Sequence, residues 1–137
     1  MSNFAILYEN LEAKIRHTGK PTLGLRPRLG AAYEAIIERP YNVHRVVEAV
    51  EELLTYLASS EGRTQENCVA VDSFFCLAEG WEDDWEDEPS ELTDILADMG
   101  GALHDTFSAP AIAENFDCTP EQLLERVRAF RAKLRAA

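Results

Sequence analysis

Six of the seven side chains from residue 82 to 88 are carboxylates: Glu82, Asp83, Asp84, Glu86, Asp87 and Glu88. Trp85 sits among them and Trp81 stands just before. Carboxylates gathered this way suit the attraction of a basic protein. A run so dense repels itself and cannot enter a core, and such blocks commonly form solvated contact surfaces. Tryptophan is a preferred anchor at interfaces, and its ring face stacks on Arg or Lys. The segment therefore reads as a partner-binding loop with Trp81, Glu82, Asp83, Asp84, Trp85, Glu86, Asp87 and Glu88 as its contact residues. In the plainer alternative, one or both rings fold back over the core while the acids face water.

The other acids offer metal chemistry in outline. At 100° per residue, Glu91, Asp94, Asp98 and Asp105 fall at about 0°, 300°, 340° and 320° on one helix, roughly 130° from its apolar direction. That stripe could take a divalent metal if a second helix supplied more oxygens. Otherwise it is a solvated face, with Glu91 and Asp94 favoured in the first turn by the helix dipole. Glu48-x-x-Glu51-Glu52 followed by Glu91-x-x-Asp94 resembles the ExxE…ExxD pattern of all-α nucleoside triphosphate pyrophosphohydrolases, which would imply magnesium and a nucleotide substrate. On the helical wheel, however, Glu48 and Glu52 point about 160° away from the Val/Leu face of their helix. His104-Asp105 resembles the paired His-Asp of HD-domain metal phosphohydrolases. That family needs a further His and a distant Asp, and His17 and His44 are the only other histidines. Asp72 and Glu79 share a stripe of an otherwise apolar helix. A buried carboxylate there calls for an ion-pair partner or a functional role, and Arg26, Arg28 and Arg126 are the natural partners.

The distribution of charge narrows the function classes. The net charge is −12. Residues 1–60 balance seven basic against seven acidic side chains, residues 61–119 hold one Arg and sixteen acids, and residues 120–137 hold five basic residues and two acids. A field of that sign repels phosphate backbones and anionic membranes and draws basic partners in. The basic C-terminal helix is placed to lie against the acidic middle. Cys68, Cys76 and Cys118 form no CxxC or zinc-type spacing. The first two share a helix with a rise of about 12 Å between them, too far for a bridge. Reduced, buried thiols and a cytoplasmic location follow. The N-terminus lacks the pattern of a signal peptide, and no apolar run reaches membrane-spanning length. No phosphate-binding glycine loop, nucleophile elbow or Cys–His pair occurs.

The elements that must position these residues are helices. Residues 3–17 fit a first helix through Phe4, Leu7, Leu11 and Ile15. A second runs from about residue 27 to 39, with Leu29, Tyr33, Ile36 and Ile37 inward. Asn42 is a fitting N-cap for a third, whose Val43, Val46, Val47, Val50, Leu53, Leu54 and Leu57 keep helical spacing without a miss. Thr64 can cap a fourth, apolar nearly all round and hence central, which Gly80 would stop. Ser90 would cap a fifth, running through Gly100-Gly101 with Leu92, Ile95, Leu96, Met99, Leu103 and Phe107 inward. A short turn follows Pro110. Thr119-Pro120-Glu121-Gln122 opens the last helix with a cap, a Pro at the first position and a Gln at the third.

No segment alternates convincingly with period two. The expectation is one all-α domain over residues 1–137, a bundle of five to seven helices with the third and fifth adjacent and an acidic Trp-containing loop. The functional expectation is a non-catalytic interaction module, of inhibitor, immunity or adaptor type, that binds a basic protein and uses no cofactor or metal. The alternative is a Mg²⁺- or Mn²⁺-dependent hydrolase of nucleotides working through the acidic helices.

Overall fold

The stripe from Val46 to Leu57 is withdrawn from solvent along its whole length, with Val46, Val47, Val50, Leu53, Leu54, Tyr56 and Leu57 all buried. A computed structural model describes residues 3–15, 21–38, 40–77, 90–100 and 103–136 of the chain. The fold is all-α. Its elements are α1 (Asn3–Ile15), α2 (Leu25–Ile37), α3 (Val43–Ala58), α4 (Gln65–Leu77), α5 (Ser90–Met99), α6 (Asp105–Ser108), α7 (Pro110–Asn115) and α8 (Pro120–Ala136).

Caps written into the sequence set several ends. Asn42 Oδ1 accepts from the backbone N–H groups of His44 at 3.1 Å and Arg45 at 3.4 Å, so α3 starts where its cap stands. Thr64 Oγ1 accepts from Asn67 N at 3.1 Å and opens α4. Thr119 and Gln122 form a reciprocal capping box at 3.2 Å in each direction and open α8. The turn from α3 to α4 needs a glycine for space, since a Cβ on Gly62 would meet the Tyr56 carbonyl oxygen at 2.0 Å.

The six longer helices close a ring. α1 packs on α2, α2 on α3, α3 on α8, α8 on α5, α5 on α4, and α4 back on α1. Their inward faces share one hydrophobic cluster. Phe74 of α4 is fully buried and stands 5.6 Å from the Phe4 ring and 6.0 Å, edge-on, from Tyr33. Offset and edge contacts of this kind add to plain apolar burial. Asn67, also fully buried, ties the ring's entry loops together. Its Oδ1 accepts from Thr22 N at 3.0 Å, and its Nδ2 donates to Thr22 Oγ1 at 3.0 Å and to Gly62 O at 2.8 Å. α6 and α7 lie outside the ring, packed on each other, with α6 against α4.

Three expectations are corrected. α2 begins at Leu25, ahead of Pro27. Pro is tolerated there because the first-turn N–H groups have no intrahelical acceptor. The fifth helix ends at Met99, and residues beyond Leu103 start anew as α6, with Phe107 exposed. Gly100 sits so close to α4 that an added Cβ would lie 3.0 Å from Phe75 Cβ. The glycine lets the neighbouring helix approach, and the chain turns there. Finally, α3 and α5 are not close neighbours: each packs on α8.

Candidate functional site

The acidic tryptophan segment, Trp81, Glu82, Asp83, Asp84, Trp85, Glu86, Asp87 and Glu88, lies outside the described residues, as do Glu79 and Gly80. Three settings of described acids bear on the candidate chemistry.

The first is the outer face of α3. Glu48 and Glu52, one turn apart, stand opposite the buried Val/Leu stripe, with Glu51 half-buried on the flank. An open groove of about 570 Å³ runs beside them, lined also by Glu61, Tyr56, Arg28 and Arg131. A second groove of about 230 Å³ holds Glu34 and Arg45 and again Glu48 and Glu52 over a floor of small residues. The shared glutamates make the two grooves one continuous surface. Most of its cations are engaged already. Arg131 pairs with Glu51, which Arg128 also approaches at 3.7 Å. Arg45 pairs with Glu38. Arg28 donates to the Gly24 carbonyl at 2.8 Å and lies 4.3 Å over the Tyr56 ring. Among the described residues, Glu34, Glu48, Glu52 and Glu61 make no ion pair, and all four are exposed.

The second setting is the seam between α5 and α8. Lys133 Nζ meets Glu91 Oε1 at 2.8 Å, and Arg126 Nη2 meets Asp98 Oδ2 at 2.8 Å. The basic last helix thus neutralises part of the acidic middle, in keeping with the charge distribution. Glu91 and Asp94 line a groove of about 240 Å³ with Arg126, Phe130 and Lys133. The two halves of the ExxE…ExxD pattern therefore sit in different grooves. Among the described residues, no group of three His, Cys, Asp or Glu side chains could hold a metal ion. Asp105 also leaves the predicted stripe, because it belongs to α6.

The third setting is a clamp between α4 and the start of α6. Asp72, buried on α4, meets His104. His104 Nδ1 stands 2.6 Å from Asp72 Oδ2, and the His104 backbone N–H donates to the same oxygen at 3.1 Å. On the other edge of the ring, Nε2 lies 3.1 Å from Asp105 Oδ1. A neutral imidazole carries one N–H, whereas two carboxylates call for two. The protonated ring meets both. The hydrogen bond to Asp72 raises the His104 pKa above its ordinary 6.5, opposed by burial and reinforced by the charges of Asp72 and Asp105. The arginines expected beside Asp72 are placed elsewhere: Arg28 and Arg126 as above, and Arg26 at 4.8 Å over the Tyr8 ring. The HD-type ligand set is not brought together among the described residues. His44 is exposed at the start of α3, and His17 lies outside the described residues.

The thiols are quiet. Burial pushes the Cys68 pKa up to about 12 and raises that of Cys118 as well. Both are free and buried, so neither is a ready nucleophile. The Cys76 side chain lies outside the described residues. No described helix is long and apolar enough to cross a membrane.

Sequence reasoning assigned Glu48 and Glu52 correctly to the outer face of α3 but did not see that this face is concave. The signal was present in three glutamates within five residues. The cavity comes from the packing of α2 and α8 alongside, which one helix's pattern does not encode. Comparison with protein-family models, with curated proteins and with solved structures finds no match.

Proposed function

We propose that this chain is a non-catalytic interaction module, of inhibitor, immunity or adaptor type, that binds a basic protein in the cytoplasm. The observation that carries this reading is the pair of adjoining grooves on α3, where Glu34, Glu48, Glu52 and Glu61 have no ion-pair partner among the described residues. Carboxylates set in a concavity focus their field and raise the local concentration of cations, which speeds encounter with a basic surface. Guanidinium and ammonium groups of a partner would pair with them as Arg131 pairs with Glu51 within the chain. Residues 81–88 would add six further carboxylates and two aromatic anchors, Trp81 and Trp85.

The test is the on-rate of a partner isolated at low salt. Replacing Glu48, Glu52 and Glu61 by Gln, and separately neutralising the six acids between residues 82 and 88, should slow association and flatten its salt dependence. On-rates unchanged in both variants would end the proposal. So would a large rise in thermal midpoint on adding millimolar Mg²⁺ or Mn²⁺, the mass-action signature of a specific metal site.

A further inference from the structure

Three of the five large apolar side chains exposed among the described residues fall within ten positions on the α6–α7 corner: Phe107, Ile112 and Phe116. The other two, Ile6 and Leu23, belong to distant parts of the sequence. Phe116 is the more open of the two phenylalanines, at 65% exposure. Ile112 and Phe116 are four residues apart and joined by the Phe116 N–H to Ile112 O bond of 3.2 Å, which puts both side chains on one face of the turn. α7 buries only Ala113.

This face is held in place. Cys118 N donates to Ala113 O at 2.9 Å, and Gln122 Nε2 donates to Glu114 O at 3.1 Å from the capping box of α8. Between them Asp117 takes a left-handed φ of 55°, a conformation that Asp tolerates better than most side chains. An apolar surface fixed before binding loses little freedom on binding.

The surroundings specify what would cover it. On the corner Arg63 pairs with Glu121 and His104 with Asp105, while Arg126 pairs with Asp98 and reaches the Asp117 carbonyl at 3.3 Å. Glu114 and Asp117, beside Phe116, are thus carboxylates with no ion pair among the described residues. A second copy would bring the same acids to the same place on a chain of net charge −12. The chain's own residues 78–89 carry seven acids and no base. Like charge opposes both occupants. The molecule also contains a pattern for the favoured one. Arg63 lies 5.8 Å over the Phe107 ring while its Nε meets Glu121 at 2.6 Å, a guanidinium shared between an aromatic face and a carboxylate. Phe116, flanked by Glu114 and Asp117, offers that combination again.

We propose that the α6–α7 face docks a partner-protein segment with apolar anchors flanked by arginine or lysine. The sign of the partner rests on the function proposed above; the location does not. The probes are a helical Leu/Arg peptide, a Ser/Arg peptide of equal charge and a Leu/Glu peptide, each titrated into the full chain and followed by amide chemical shifts. The Leu/Arg peptide should shift residues 105–117, and I112S/F116S should weaken it about tenfold while leaving the thermal midpoint and the Ser/Arg peptide unaffected. If both cationic peptides bind and the double variant changes neither, the docking face is refuted and the acidic-module reading survives. If neither cationic peptide binds, both readings fall. Binding of the Leu/Glu peptide to residues 105–117 would overturn the charge of the occupant. Self-association abolished by I112S/F116S would assign the face to a second copy. Shifts of residues 78–89 caused by I112S/F116S in the free protein would assign it to the chain itself.

Discussion

The six-helix ring and the α6–α7 corner are held by different means. The ring is built on continuous stripes, in which each long helix gives a full face to the shared core and most of its energy is apolar burial spread over many side chains. The corner has helices of four and six residues, whose buried residues are Thr106 and Ala113. It is fixed by point contacts: Asp72 on His104, Gln122 on Glu114, Arg63 over Phe107. A face held by a few polar bonds can keep its apolar side chains turned outward. A face held by its own burial cannot. The corner can therefore carry a recognition surface at little cost to the ring.

The largest test of this contrast is a pair of truncations. Leu54→Ala empties a fully buried site on α3 and should cost about 2–5 kcal/mol of unfolding free energy. Ile112→Ala removes an exposed side chain on α7 and should stay within about 0.5 kcal/mol. Urea midpoints measured together decide it, and equal losses would show that the corner is part of the core after all.

Asn67→Ala should rank next. It leaves the Thr22 N–H without its acceptor and removes one of the two donors to the Gly62 carbonyl, which keeps Thr64 N, and an unsatisfied buried group costs about 1–3 kcal/mol. The loss should come with faster amide exchange around residues 22 and 62 while α7 is unmoved, which keeps the ring's polar fastening distinct from the corner's.

Thr119→Ala bears on both regions, since the Thr119–Gln122 box starts α8 and Gln122 also holds the Glu114 carbonyl. Loss of an N-cap costs about 0.5–2 kcal/mol. The amide shifts should reach residues 112–117 as well as the first turn of α8. Shifts confined to α8 would mean that the corner is anchored elsewhere.

What the sequence disclosed divides along the same line. The α3 stripe, the Asn42 and Thr119 caps and the all-α class were readable because each depends on residues within a turn or two of one another. The end of the fifth helix was missed because the apolar spacing continues through Leu103 to Phe107. The close approach of Phe75 to Gly100, 25 positions away, is what makes the break intelligible. Arginine was the reasonable partner for a buried Asp72, yet the fold brings a histidine 32 residues away. The groove on α3 was half legible: the glutamates and their outward direction were plain, whereas the concavity is made by neighbouring helices.

The smallest expected effect is the one tied most closely to the corner. His104 is raised above 6.5 in the folded state, so its bridge between Asp72 and Asp105 contributes fully below the unfolded pKa. That contribution is lost as pH rises through the higher folded value. Stability should therefore fall as pH climbs from about 6.5. The fall should be modest, about 1 kcal/mol or less, because the histidine side chain is 46% exposed and water screens it. Asp72→Asn should flatten this slope, and His104→Gln should abolish it. The loosening should show first in amide exchange of residues 103–108, ahead of any change in α3. If the pH slope persists in His104→Gln, the titrating group is another one. If exchange rises equally in α3 and α6, the clamp serves the whole ring, and the division between a self-supporting ring and a pinned corner fails at the contact that joins them.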